Sequence, residues 1–183
     1  MTPKNARAYG AKPDMKHFLL QMLALTVTVA GFCAEPVRLL EKANVLPLAL
    51  DDDFEFRKQK LFFNDPRIEK PTTNQALAFE RQRINFGAVT QVDRVQRYGH
   101  YFTFFWRSER KADLTVRLEY RQENLGALVQ AREVDYPGAK GSFKTDFRVI
   151  GDDYTEDGKI TAWRVVLIEN GRIVALNQSF LWN

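Results

Sequence analysis

A side-chain period of two dominates the second half of the chain and limits what it can fold into. Apolar residues alternate with polar ones between Leu114 and Arg121, and again between Phe143 and Val149. Such alternation gives each strand one buried and one wet face, which is typical of antiparallel sheets. Continued along the chain, the pattern predicts strands near residues 79–91, 98–107, 112–121, 128–136, 142–150, 159–169 and 172–182.

Turn-forming residues separate these segments, at 123–126, 136–141 and 151–158. The strongest turn signal is Asn170-Gly171 between two apolar runs, which favours a two-residue hairpin of type I′. About seven strands, with no long helix to place after residue 98, predict an all-β fold. Two antiparallel sheets would pack as a sandwich over residues 76–183.

The first 34 residues predict an export signal. Lys16 precedes an apolar, uncharged run at 18–34, and this order is typical of a secretory signal peptide cleaved after Ala34. Met15 is then the expected true start. An uncleaved membrane anchor is the alternative, although the run is shorter than the roughly 20 residues that a span requires.

Removal of this segment changes the charge of the chain. The full sequence has a formal net charge of +4, but residues 35–183 hold 23 basic and 22 acidic side chains. A net charge of +1 gives no reason to expect nucleic acid as a partner. Cys33, the single cysteine, would leave with the segment, and Phe32 before it is too large for a lipid-attachment site. We therefore expect an exported domain without disulfides.

Residues 35–75 are expected to form an N-terminal arm and a linker. The arm carries several leucines, with Pro47 as a breaker, and Phe54 to Phe63 has the composition of a further strand. Residues 64–75 contain two prolines and several turn formers, which is typical of a long loop.

The sequence predicts no catalytic residue, no metal centre and no cofactor. The mature chain has one histidine, His100, which lies in an aromatic strand and is expected to be packed or hydrogen-bonded. The loop 151–158 is a weak candidate for a calcium site, because carboxylates are the ligands that a hard cation prefers. Acidic turn residues more often bond to their own backbone, so a plain turn is favoured. The carboxylates in question are Asp152, Asp153, Glu156 and Asp157.

An aromatic segment at 98–106 supplies the candidate binding residues. Its rings fall on both faces of the predicted strand, so one face fills the core and the other must be covered or bind something. Cover by the arm, a partner protein, and a sugar-stacking platform are the alternatives. The aromatic residues nominated for binding are Tyr98, Tyr101, Trp106 and Trp163.

The stretch from Asn85 to Trp182 resembles a group of small exported proteins of the Verrucomicrobia, some of them linked to type IV pilus-like gene clusters. The residues that carry the likeness are Tyr101-Phe102-Thr103-Phe104-Phe105-Trp106-Arg107, Val116-Arg117-Leu118-Glu119-Tyr120-Arg121, Val149-Ile150-Gly151-Asp152-Asp153-Tyr154, Ala162-Trp163-Arg164 and Gln178-Ser179-Phe180-Leu181-Trp182. The resemblance implies an immunoglobulin-like domain with no known enzymatic role. It also implies an association with a pilus or the cell envelope.

The expected function is therefore binding rather than catalysis. We expect an exported adaptor, an accessory rather than a pilin subunit because the N-terminus lacks a pilin leader. It would present an edge strand or an aromatic patch to a protein partner in the periplasm, at the outer-membrane surface or in the medium. The membrane would be contacted only through an uncleaved signal segment. A carbohydrate-binding module with exposed aromatic rings is the alternative.

Overall fold

The computed structural model describes residues 36–40, 43–68 and 73–182. The predicted signal peptide at 1–34 and part of the predicted linker lie outside these residues. Within the described ranges, no helix combines the length and the apolar character needed to cross a membrane.

The described chain is mostly antiparallel β-sheet, which confirms the all-β class. The helices are short: α1 (Gln75–Asn85), α2 (Gln91–Val95), α3 (Asp152–Thr155) and a 3-10 turn at Glu123–Leu125. The six strands within these ranges are β1 (Arg38–Leu40), β2 (Phe54–Asn64), β3 (Gly99–Gln122), β4 (Gln130–Ile150), β5 (Ile160–Glu169) and β6 (Arg172–Gln178).

Two long strands, β3 and β4, pass through the whole sheet and bend within it. Their pairing is interrupted between Ser108 and Leu114, where the ladder shifts. We call the two parts half-sheet A and half-sheet B. Half-sheet A contains β2, residues 99–108 of β3 and residues 141–150 of β4. Half-sheet B contains residues 112–122 of β3, residues 130–139 of β4, and strands β1, β5 and β6.

The bend brings the inner faces of the two half-sheets together. Phe102 and Phe104 of half-sheet A lie 6.0 and 5.5 Å, between ring centroids, from Trp163 of half-sheet B. Trp106 is 1% exposed, and its indole N–H donates to Thr145 Oγ1 at 2.9 Å. The predicted apolar face is confirmed here, because Leu114, Val116, Leu118 and Tyr120 all enter this core. The opposite face was expected to be exposed to water, and that part of the prediction is wrong, because Arg117 and Glu119 are buried there.

The positions of several predicted strands are wrong. Residues 75–85 form α1 where a strand at 79–91 was expected, because Asn74 caps the helix by accepting from the N–H groups of Ala76 and Leu77. The segments 98–107 and 112–121 are two parts of β3, and 128–136 and 142–150 are two parts of β4. The predicted break at 136–141 is the bend of β4, where Gly138 and Gly141 have positive φ.

The sheet also begins earlier than the predicted boundary at residue 76. Strand β2, which was placed with the arm, pairs along its length with the first half of β3. The predicted hairpin at 170–171 is confirmed, with φ of 48° at Asn170 and 73° at Gly171, as a type I′ turn requires.

The arm segment, residues 43–51, covers the outer face of half-sheet B. Its backbone bonds to β6 through Ala49 N–H to the Ile173 carbonyl at 2.8 Å and Ile173 N–H to the Pro47 carbonyl at 2.9 Å. Leu46 packs on a second apolar cluster on this face, formed by Val166, Ile168 and Ile173.

Buried charges lie beside that second cluster. Arg117 Nε donates to Glu133 Oε1 at 2.5 Å, and Arg117 Nη1 donates to the carbonyl of Asn44 at 3.1 Å. Glu119, also buried, accepts from Arg164. Opposite charges and hydrogen bonds to the arm segment together compensate these buried side chains.

Candidate functional site

A cavity of about 570 Å³ opens where the two half-sheets separate. Its walls come from the end of β2, the start of β3 and the start of β5, with α1 and the segment 179–181 at its mouth. Apolar side chains form most of the lining, which is typical of binding pockets of this size. The apolar lining residues are Leu61, Phe62, Phe63, Leu77, Phe102, Ile160, Trp163, Phe180 and Leu181.

The rim of this cavity exposes large apolar side chains to solvent. Phe180 is 92% exposed, Leu181 65%, Leu61 44% and Leu77 43%. Single exposed apolar residues are normal on protein surfaces, but a cluster of them around a cavity is a candidate interaction site. We call these four residues the apolar rim.

The segment that carries half of the apolar rim is held in place on both sides. Ser179 N–H donates to the Trp163 carbonyl at 2.9 Å, and Ser179 Oγ accepts from Trp163 N–H at 3.0 Å. Trp182 is buried, with the guanidinium groups of Arg121 and Arg164 over its ring at 4.9 and 5.1 Å. Phe180 and Leu181 are therefore exposed between two anchored residues.

His100 lines the cavity as a neutral, packed side chain. Burial and the charge of Lys159 lower its pKa to about 4. Its Nε2 accepts from Ile160 N–H at 3.2 Å, and its ring lies 4.6 Å, between centroids, from that of Phe63. The expectation of a packed, hydrogen-bonded histidine is confirmed.

Three of the four nominated binding residues belong to the interior. Tyr98, Trp106 and Trp163 are buried, so their rings do not form the exposed flat row that a sugar platform needs. Tyr101 is half-buried, and its hydroxyl donates to the Arg97 carbonyl at 2.9 Å. Trp163 and Tyr101 do line the cavity, whereas Tyr98 and Trp106 do not.

The acidic side chains of the loop 151–158 contact different residues. Asp152 accepts from Gln96, Asp153 pairs with Arg132, and Asp157 accepts from Gln130. Nowhere in the described ranges do three or more histidine, cysteine or acidic side chains gather as a metal site would require. The glutamate in this loop, Glu156, bonds to Asn124 through its backbone carbonyl.

The strand edges of the sheet differ in how they are protected. The arm segment covers β6 at Ile173 and Val174. On β4, the carbonyl of Arg148 accepts from Arg132 at 2.7 Å, and that of Lys144 accepts from the Tyr136 hydroxyl at 3.4 Å. Strand β2 pairs with β3 on one side, and no strand of the described chain pairs with its other side.

The free side of β2 is cationic. Residues 57–61 are all exposed, and among them are Arg57, Lys58 and Lys60. Arg57 pairs with Glu55, and Lys60 pairs with Glu80 of α1. Lys58 has no ion pair within the part of the chain that the structure describes.

Sequence reasoning missed the apolar rim. Phe180 and Leu181 were assigned to the last strand, which ends at Gln178. Two adjacent apolar residues fit no period-two pattern, and this irregularity is the signal that could have found them. No family model, no curated protein and no solved structure matches the chain.

Proposed function

We propose that this protein is a non-enzymatic binding or adaptor protein, whose interface is the apolar rim and the cavity behind it. The observation that carries the proposal is the exposure of Phe180, Leu181, Leu61 and Leu77 around a cavity of about 570 Å³. A partner that covers this rim removes apolar surface from water, which is the main driving force of protein association.

The four side chains of the apolar rim are enough to supply much of the binding energy of an interface. Covering a Phe or Leu side chain fully is worth about 1.5–3 kcal/mol, and a few such side chains dominate the energy of most interfaces. The anchored position of Phe180 and Leu181 also lowers the entropy lost on binding, because the backbone is already fixed by Ser179.

The cellular setting belongs to the same proposal. The apolar run at 18–34 supports export, and the resemblance to exported Verrucomicrobial proteins supports an accessory role in a pilus-like or envelope assembly. An immunoglobulin-like sandwich is proposed for the fold, supported by the packing of half-sheet A against half-sheet B through Phe102, Phe104 and Trp163.

Site-specific photo-cross-linking tests the interface. A photoreactive phenylalanine analogue replaces Phe180 in the full chain, expressed in the source organism, and cross-linked products are identified by mass spectrometry. We expect one discrete cross-linked protein, and we expect Leu181→Asp in the same chain to abolish it.

The matched control is Leu128→Asp, because Leu128 is also exposed but lies outside the cavity lining. It should leave the cross-link intact. A cross-link that survives Leu181→Asp, or the same products from an analogue at position 128, would refute the proposed interface.

A further inference from the structure

We infer that the partner binds as an extended segment along the free side of β2, with an acidic side chain facing Lys58 and an apolar side chain entering the cavity. This inference rests on the proposed function and names the conformation and chemistry of the partner. Three features of the described residues carry it: an open strand edge, its charge, and its position beside the cavity.

The first feature is the open edge itself. An unpaired strand presents backbone N–H and C=O groups that an incoming strand can bond. Among the longer strands, the side of β6 is occupied by the arm segment, and two carbonyls of β4 already accept side-chain donors. Strand β2 is therefore the most accessible place for strand addition.

The second feature is the positive charge along this edge. Lys58 and Lys60 are two residues apart, so their side chains share one face of β2, the face of half-sheet A that points away from the core. Opposite charges directly across a strand pair stabilise it, and like charges destabilise it. Lys60 is already paired with Glu80, whereas Lys58 has no ion pair in the described chain. An acidic residue of the incoming segment opposite Lys58 would therefore stabilise the strand pairing.

The same charges argue against a second copy of this chain as the occupant. An antiparallel pairing of two β2 edges about Gln59 would place Lys58 of each copy opposite Lys60 of the other. Two such contacts between like charges would oppose the pairing. A second copy is therefore disfavoured in this register.

The third feature is the position of the edge. Leu61 and Phe63 lie on the opposite face from Lys58 and Lys60, and both line the cavity. Because side chains alternate between faces, the residues beside the partner's acidic one point toward the cavity. An incoming strand would meet two exposed contacts here, the 2.9 Å hydrogen bond from Asn177 Nδ2 to Gln59 Oε1 and the ion pair of Lys60 with Glu80.

A selection from a peptide library tests the inference. Random 12-residue peptides displayed on phage are selected on the full chain, and the strongest binder is synthesised. We expect an acidic residue in alternation with apolar ones in the selected sequences. We expect Lys58→Glu to lower the affinity for the synthetic peptide about fivefold, because an opposite-charge pair becomes a like-charge pair. Lys140→Glu, an exposed lysine away from β2, is the matched control and should have no effect.

Backbone methylation provides a second readout. N-methylation of the peptide at alternate residues, those whose N–H groups face β2, should abolish binding, and methylation at the residues between them should not. A peptide bound only by its side chains would lose little affinity when either set of positions is methylated. This result would overturn the strand geometry.

The two proposals fail in different ways. Peptides that lose binding in Leu181→Asp but not in Lys58→Glu, and that show no alternation, would overturn this inference and leave the apolar interface standing. Peptides indifferent to both substitutions would overturn both. If the full chain floats with phosphatidylglycerol vesicles and Lys58→Glu does not, the charged edge binds lipid. This result would also overturn the inference.

Discussion

The outer face of half-sheet B and the β2 side of half-sheet A show two ways of treating exposed sheet. On half-sheet B, the arm segment lies across the sheet, Leu46 packs on the second apolar cluster, and Arg117 is buried against Glu133. On the β2 side, residues 57–61 stay exposed, and the apolar rim surrounds an open cavity. The chain covers one region with its own residues, and the other is the region proposed to bind a partner. The covered region should therefore govern stability and the open region should govern binding.

The largest expected effect comes from the core that both regions share. Phe147 is 1% exposed and faces Phe104 across an edge-to-face contact of 6.4 Å between centroids. Phe147→Ala should lower the free energy of unfolding by about 4 kcal/mol, because it removes buried apolar surface and leaves a void. Urea unfolding measures this loss, and a value under about 1 kcal/mol would show that Phe147 does not lie in the core.

Removal of a charge beneath the arm segment should have the next largest effect. Glu133→Ala leaves the buried guanidinium of Arg117 without its main partner, and it also removes the contact with Arg38. We expect a loss of about 3 kcal/mol in urea unfolding, because an uncompensated buried charge is costly. Glu55→Ala removes an exposed pair on β2 and serves as the control, with an expected loss under about 1 kcal/mol. Equal effects of the two substitutions would contradict the comparison.

The cavity should make stability depend on pH. The pKa of His100 is about 4 in the folded chain and about 6.5 in an unfolded one, so the unfolded state binds the proton first as pH falls. Stability should decrease between pH 7 and pH 5 by about 1–2 kcal/mol, and this contribution is fully lost below about pH 4. Unfolding of His100→Gln, which keeps an acceptor for Ile160 N–H, should lack this dependence. An unchanged slope in the variant would assign the effect to other groups.

The smallest effect on stability is expected on the apolar rim. Leu181 makes its contacts at the surface, so Leu181→Asp should change the free energy of unfolding by less than about 0.5 kcal/mol. The same substitution is expected to abolish partner binding. Thermal and urea unfolding of this variant, compared with Phe147→Ala, separates the two regions. A large loss of stability would show that Leu181 is packed against the rest of the chain, and would contradict this prediction.

The parts of the structure that could be predicted from sequence depend on residues that are close together in the chain. The apolar face from Leu114 to Tyr120 and the turn at Asn170-Gly171 depend on neighbouring residues, and both predictions are confirmed. The burial of Arg117 and Glu119 on the opposite face depends on distant residues and was not predicted. Helix α1 was missed because Leu77 and Phe79 mimic a period of two, although Asn74 and a run of strong helix formers indicate a helix. Gly138 and Gly141 signal both turns and bends, so sequence could not show that β4 continues through them.

The candidate site was harder to predict because it depends on distant contacts. Tyr98, Trp106 and Trp163 were nominated for their ring chemistry, but all three are buried. Trp106 and Trp163 belong to the core between the half-sheets, and the guanidinium of Arg67 lies over the ring of Tyr98. The exposure of Phe180 results from the anchoring of Ser179 on Trp163, sixteen residues earlier. The free side of β2 can be recognised only when the partners of all other strands are known.

The continuity of β3 and β4 has a consequence for how the chain folds. Both half-sheets grow from one hairpin, whose closing end joins Tyr120 to Gln130 and whose open end joins Gly99 to Ile150. Zipping from the closed end makes each new contact at a short effective loop length, which favours fast formation. A one-residue slip of β4 against β3 at the start would turn the side chains of β4 to the opposite face in both half-sheets. The register set at the closed end therefore determines which side chains of β3 and β4 enter the core in both half-sheets.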